Sequence, residues 1–490
     1  MSAQGTSVRV SATDPGGNPH GLKQNALAMR DAVVMALASS GPTQSVAVSI
    51  AAIVAVSGYA GIVPVFVCLI PMLGIAIGYH RLNAWQPDAG ATYSWVGRAL
   101  NPYAGFFAGW IMLLYYTVGT VSLTIPLGTY TLSLFSSTLP SDSTAVAITG
   151  SILDLVVVVV AALGIELSAR FQWGWAIFEY LLLIGFGVLA LGAIYIGHLA
   201  GAVHVQASWF TLSGAGGMQG LIAGILIAIF LYSGWDTAAY VGEETRDRKA
   251  GNAAVTSVVV LFLIYAFAVF AFQGVVPAKD LQANAGNILA YIAEKLSGQL
   301  WGKLMVVAVL GGTLASLQAA IVSSSRISFA MGRDRTVPAW FSRIHPRWRT
   351  PWNATILLGL LNLVFLWGSL KIGPISTALS NIVSTLGLYA AIFYALTASA
   401  ALWYYRRVIF SGTSNLVLGG VLPAFGAAFM LFVVVYSLVT NALTPVELWF
   451  GFGLAALGLV LAVISRAVGR SPFFQLHPES APAPAARAER

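Results

Sequence analysis

AVVMALASSGPTQSVAVSIAAIVAV (residues 32–56) and GILIAIFLYSGWDTAAYVGEE (residues 224–244) decide how this chain folds. Each is long and apolar enough for a membrane helix, since about 20 such residues span the hydrocarbon of a bilayer. Each is also interrupted at mid-membrane depth, the first by Ser39, Ser40, Gly41, Pro42, Thr43 and Gln44, the second by Ser233, Gly234 and Asp236. Pro42 removes a backbone donor and clashes with the preceding turn. Unwound backbone survives at that depth only where protein or a cavity satisfies it. Two interrupted helices five segments apart point to an inverted-repeat architecture whose half-helix ends bind substrate and ion. The plainer reading is a pair of kinks that serve packing alone, because Gly, Ser and Pro are frequent in membrane helices.

Composition agrees with a membrane setting. Of 490 residues 58% are apolar and 9% charged, with mean hydropathy +0.81, whereas soluble domains run near 25% charged. Apolar runs predict twelve helices near 30–56, 62–80, 101–135, 144–164, 171–198, 217–241, 251–275, 304–331, 353–370, 376–404, 417–440 and 446–467. With the N-terminus inside, only Lys279, Lys295, Lys303 and Lys371 of the 25 Lys and Arg fall outside. That is the asymmetry of the positive-inside rule, and it predicts both termini in the cytoplasm of a multi-pass plasma-membrane protein. Membrane topology thus accounts for the +8 charge, and no basic patch on a soluble module suggests nucleic acid. The single Cys68 excludes a disulfide framework or thiolate metal site. Residues 278–298, AKDLQANAGNILAYIAEKLSG, have apolar residues at helical spacing but are too polar to span, which predicts an external surface helix. The N-terminal arm shows no apolar stretch of a signal peptide.

Three stretches carry a family resemblance. PDAGATYSWVGRALNPYAGFFAGW (87–110) is similar to the Pro-x-(Ala/Ser)-Gly-Gly-x-Tyr pattern and Gly-Phe-x-x-Gly-Trp helix opening of the amino acid–polyamine–organocation permeases, with Ala91 in place of the second Gly. FLYSGWDTAAYVGEETRD (230–247) resembles their aromatic, Gly, aromatic, acid, Glu-Glu signature, and SRISFAMGRDRTVPAWFSRIHPRWRTPWNA (325–354) their Arg, Ala-Met-x-Arg-Asp and His-Pro run. The resemblance implies an all-α integral membrane protein of about twelve transmembrane helices in a five-plus-five inverted repeat of the leucine-transporter type, with helices 1 and 6 discontinuous. The expected organisation is a disordered arm over 1–24, repeats over 25–200 and 215–404, helices 11 and 12 within 415–468, and a disordered tail over 471–490.

The resemblance also implies a substrate site between the two breaks, formed by Ser39, Ser40, Gly41, Thr43, Tyr232, Ser233, Gly234, Trp235 and Asp236, with Trp235 as the lid aromatic. Relatives hold a substrate carboxylate on backbone N–H groups at the first break. Pro42 has none to give, so the hydroxyls of Ser39, Ser40 and Thr43 take that place, or the substrate lacks a carboxylate, as a polyamine does.

Buried acids need a reason, because each costs about 2.5 to 3.5 kcal/mol at the membrane centre by insertion scales. Asp154, Glu179 and Asp236 qualify. Proton-coupled relatives carry a lysine seven residues after a Gln in the fifth helix, and seven from Gln172 here is Glu179. Low-dielectric burial disfavours the charged form of an acid, which suits Glu179 as carrier of a coupling proton. A structural hydrogen bond to the first helix or to Ser323, Ser324 or Ser325 is the alternative. These serines resemble a hydroxyl stretch that completes a sodium site in related folds, and small residues equally let helices pack closely. Asp236 either attracts a substrate amino group or hydrogen-bonds the sixth-helix break. Asp154 matches no motif.

The expectation is therefore a secondary transporter importing an amino acid or related amine, coupled to protons, with sodium coupling and obligate exchange as alternatives. A small-molecule substrate and membrane lipid are the expected partners, the chain acting as monomer or homodimer. No cofactor or metal is expected, since the six histidines form no ligand pair at helical spacing. A membrane enzyme and a transporter-like sensor are the readings from other classes.

Overall fold

The computed structural model describes residues 21–136, 138–284, 287–370, 375–439, 448–469 and 471–481, the side chains of 375–384 and 450 excepted. Most of the predicted arm, the end of the tail and Lys371 lie outside the described residues. Within them, twelve helices are long and apolar enough to cross a membrane.

The first crossing is α1 (Met29–Ser40) and α2 (Pro42–Ser57), and the second α3 (Ile62–Trp85). A short α4 (Thr92–Ala99) precedes the third crossing, α5 (Pro102–Ser133). Then come α6 (Ser143–Ala162) and α7 (Ile165–Tyr195). The sixth crossing is α8 (Gly217–Tyr232) and α9 (Thr237–Tyr240), the seventh α10 (Ala250–Phe272). After α11 (Ala278–Ala283) and α12 (Ile288–Ser297), the chain recrosses as α13 (Gln299–Arg333), α14 (Trp352–Ser369) and α15 (Ile375–Tyr405). A short α16 (Thr413–Leu416) leads through a π-turn into α17 (Leu422–Val439), and α18 (Leu454–Gly469) is the last crossing.

Polar caps set several starts. Asn101 accepts from Ala104 N–H at 2.9 Å with Pro102 at the first helical position, and Asp142 accepts from Thr144 N–H at 2.8 Å to open α6. The crossings then pair with their counterparts five crossings later: α2 with α8, α3 with α10, α5 with α13 and α6 with α14. Five is odd, so paired helices run in opposite senses, as a two-fold axis in the membrane plane requires. Helix α17 packs on α3 and α15, and α18 on α5, outside this core.

The loops predicted to be basic and internal meet on one face. Leu27 pairs with Thr245, Lys23 with Glu166 at 2.9 Å, and Arg349 donates to Gly21 O at 2.8 Å. At the opposite face Ala278 N–H donates to Tyr59 Oη at 2.8 Å and Val203 N–H to Gly274 O at 2.8 Å. Lys279, Lys295 and Lys303 belong to that end.

Four details differ from the expectations. Residues 471–481 are not a free tail: Glu479 N–H donates to Arg98 O and Ala481 N–H to Tyr404 O, while the Phe473 ring stacks on Tyr93 at 4.6 Å. Residues 21–24, expected in the arm, are tied down by the Lys23 and Gly21 contacts, and Leu22 is buried. Helix α7 begins six residues earlier than the apolar run predicts, because polar residues such as Glu166 and Arg170 extend it along the basic face. The surface helix is two helices, and α12 turns Leu289, Ile292 and Ala293 inward against α13.

Arg326 on α13 and Glu244 after α9 form a fully buried pair, with Nε and Nη2 donating to the two carboxylate oxygens at 3.0 and 3.2 Å. Breaking one side of such a pair leaves a buried charge and costs about 3–5 kcal/mol, whereas replacing both by apolar groups is often neutral. Arg326→Leu should therefore lower the melting temperature of detergent-solubilised protein sharply, and the Arg326→Leu/Glu244→Leu double variant should recover most of the loss.

Candidate functional site

The first break is narrower than the sequence suggests. Gly41 alone is non-helical, at φ 51°, and its N–H still bonds Leu37 and Ala38 carbonyls. The last carbonyls of α1 also take side-chain caps: Ser316 Oγ donates to Ala38 O at 2.6 Å and Ser45 Oγ to Ser40 O at 2.6 Å. A side chain on Gly41 would collide with Ser316 Oγ. At the second break Ser233 and Trp235 flank Gly234, which sits at φ 104°, and a Cβ there would lie 2.8 Å from the backbone of Ser39 and Ser40. Only glycine suits a positive φ at such an approach. The two breaks are thus in direct contact.

A hydroxyl chain links them further. Ser323 Oγ donates to Thr237 Oγ1 at 3.1 Å, and Thr237 to Ser39 Oγ at 2.8 Å. Ser39 keeps its own O–H for a ligand. It lines a partly open cavity with Ser40, Gln44, Tyr116, Ser233 and Leu386. Among the described lining residues none carries a charge. The serines Ser40, Ser45, Ser122, Ser233 and Ser316 give their protons to backbone carbonyls, so what hydrogen-bonding capacity they keep is as acceptors. The lining therefore accepts from a ligand N–H more readily than it donates to a carboxylate.

Thr43, Tyr232, Trp235 and Asp236 stand behind this lining. Tyr232 donates to Val65 O at 3.1 Å. Trp235 is fully buried, stacked on Tyr394 at 5.4 Å and edge-on to Tyr79 at 4.9 Å. Asp236 accepts from Tyr394 at 2.8 Å, Tyr116 at 3.1 Å and Tyr240. Three phenols occupy it, of which only Tyr116 lines the cavity, and it ties α5, α9 and α15 together. Sequence reasoning missed Tyr116 and Tyr394 because they come from distant helices. Glu179 is buried beside Gly312, with the Thr43 backbone N–H aimed at it, and neither oxygen closes a full hydrogen bond. Ser324 and Ser325 bond their own helix, at Ile321 and Val322 carbonyls, rather than Glu179.

Beyond Trp235 the basic side is sealed in layers. Arg326 and Glu244 come first. Then Arg333 bonds Asp88 at 2.7 Å and Glu243 at 2.8 Å, and Tyr93 donates to Asp334 at 3.0 Å. Burial pushes the Asp88 carboxyl up, but the Arg333 guanidinium with Ser94 and Gly90 outweighs it and holds Asp88 below its ordinary value of 3.8. Burial, with the Asp88 charge, leaves Glu243 above its ordinary value despite Arg333. The cavity lining instead runs the other way, along α5 to Leu123 and α15 to Leu386.

A site at two touching helix breaks, with one side latched, is a transporter's geometry, and a family model for amino acid permeases matches residues 29–464. The chain belongs to the amino acid permease family. Curated relatives of this permease include the low-affinity putrescine importer PlaP of Escherichia coli, 26% identical over 306 residues, which cover 60% of this chain and 64% of the importer. An uncharacterised transporter of Mycobacterium tuberculosis is 28% identical over 356 residues, 71% of this chain and 74% of its own. The serine/threonine exchanger SteT of Bacillus subtilis is 25% identical over 274 residues, 55% and 59%. The chain thus spans just under two thirds of the putrescine importer's length. An importer, a transporter and an exchanger leave no support for the membrane-enzyme reading.

Two outcomes test this geometry. Gly234→Ala must separate the breaks or strain the backbone, and it should abolish ligand-dependent thermal stabilisation while the protein still folds. A carboxylate held below its unfolded value contributes stability that is complete above that value and is lost as pH falls through the folded one. Wild-type and Arg333→Gln melting temperatures should therefore differ most near neutral pH, begin to approach as Glu243 takes up its proton above its ordinary 4.5, and converge only below Asp88's ordinary 3.8.

Proposed function

We propose that this permease is a secondary transporter that imports an amino acid or related amine, driven by a proton taken up and released at Glu179. The carrying observation is the charge-free, acceptor-rich cavity at the contact of the two breaks, backed by a buried acid one turn of helix behind it. The substrate amino group meets the serine lone pairs and Tyr116, which relays the Asp236 charge. Any carboxylate meets the Ser39 O–H. Glu179, aimed at the first turn of α2, feels any change at the first break, so its protonation and substrate occupancy are linked through Thr43.

The basic face is cytoplasmic on this reading. The latched basic side and the cavity running away from it then correspond to an outward-facing state, and import requires the Arg333 and Arg326 pairs to part. The permease works in the plasma membrane as monomer or homodimer, with sodium as the alternative coupling ion at Ser323 and Ser324. Obligate exchange is the second reading, favoured by the likeness to a serine/threonine exchanger.

Proteoliposome uptake of labelled amino acids and polyamines under an inward proton gradient, a sodium gradient or neither separates these readings. Proton-driven accumulation is expected, with Glu179→Gln losing accumulation at least tenfold while keeping substrate exchange. Accumulation that survives in Glu179→Gln removes the proton role. Uptake that requires internal substrate establishes exchange instead.

A further inference from the structure

Asp154 lies outside the substrate site, on α6, and is fully buried. Its Oδ1 accepts from Asn362 Nδ2 on α14 at 2.8 Å. The same Nδ2 donates to Thr124 Oγ1 on α5 at 3.0 Å, and Thr124 gives its own proton to Thr120 O at 2.8 Å. Every donor in the group is now spent. Two acceptors are left without a partner, Asp154 Oδ2 and Asn362 Oδ1. They belong to the two groups already joined by the Asn362 N–H bond.

Unpartnered buried acceptors are rare and call for an explanation. A charged Asp154 with one neutral hydrogen bond needs a cation nearby. Helices α5 and α14 carry no Lys, Arg, His, Asp or Glu, and α6 carries no other. On α13, Arg326 is committed to Glu244 and Arg333 to Asp88 and Glu243, while Lys303 is exposed at the opposite face. On α7, Glu166 pairs with Lys23, Arg170 is exposed, and Glu179 faces Gly312. No cation among the described residues balances the acid.

One proton resolves all of it. We propose that Asp154 is a second proton-binding site of the permease, its proton closing a cyclic acid–amide pair with Asn362 that ties α6 to α14. The proton comes from water, bonds covalently to Oδ2 and is donated to Asn362 Oδ1, while Asn362 Nδ2 donates back to Oδ1. Thr124 follows Ser122 and Leu123 of the cavity lining directly, so the pair also fixes the register of the cavity wall. This site is independent of Glu179 and of the transport reading.

Infrared spectra of the full-length protein in lipid nanodiscs at neutral pH test it through the carbonyl stretch of protonated carboxylic acids. Wild-type minus Asp154→Asn, an isosteric change that keeps an amide partner for Asn362, should show loss of one hydrogen-bonded acid band. Asn362→Leu should move that band to the higher frequency of a free acid or remove it. An unchanged acid band in Asp154→Asn means Asp154 is ionised and overturns the proposal. A band lost there but unmoved in Asn362→Leu overturns the acid–amide pair. Should Asp154→Asn not fold, the Asn362→Leu shift decides alone.

Discussion

The hydrocarbon interior offers no water to a backbone N–H or C=O, and the rest of this structure follows from how the two helix breaks meet that constraint. The last carbonyls of α1, at Ala38 and Ser40, take side-chain caps from Ser316 and Ser45, and these are also cavity-lining residues. The site is therefore built from the caps of its own breaks. Because those serines spend their protons on carbonyls, the cavity shows lone pairs, and its chemical preference is a by-product of satisfying the main chain. Glycine at 41 and 234 is fixed by the same demand, since each combines positive φ with a close approach to a neighbouring atom.

Closure on one side is a second consequence. Below the breaks, Trp235 fills the space between Tyr79 and Tyr394, and the Arg326–Glu244 pair, the Arg333 fork and the Tyr93–Asp334 bond follow in succession. The Arg326–Glu244 pair joins the sixth and eighth crossings to each other, the Arg333 fork ties both to Asp88 before α4, and the Tyr93–Asp334 bond ties α4 to the end of α13. Phe473 stacks on Tyr93, and Ser471 Oγ donates to Asp334 O at 2.5 Å, so the segment after α18 braces the outermost layer.

Much of this was legible in the sequence, and the reason is local. Hydropathy, Pro42 with Gly41, and the distribution of 25 basic residues located twelve crossings and both breaks without any long-range information. What was not legible depends on contacts across the fold. Nothing near Asp236 in sequence announces Tyr116 and Tyr394, and the expected choice between a substrate contact and a helix-break contact omitted the tyrosine arrangement. Residues 471–481 were hidden by a Pro/Ala-rich context, although Ser471-Pro472-Phe473-Phe474 is itself a capped aromatic turn. Helix α4 was too short and too polar for a hydropathy reading.

Four buried acids show how finely donors are apportioned in such a protein. Glu244 has a guanidinium and Asp236 three phenols, enough in each case to hold a carboxylate charge away from water. Asp154 has a single amide and Glu179 one backbone N–H short of full geometry. An acid rich in donors gains little from a proton, while a poorly supplied one replaces missing donors with its own O–H. The two acids left undersupplied with donors, Glu179 and Asp154, lie against the first break and the cavity wall rather than in the latch.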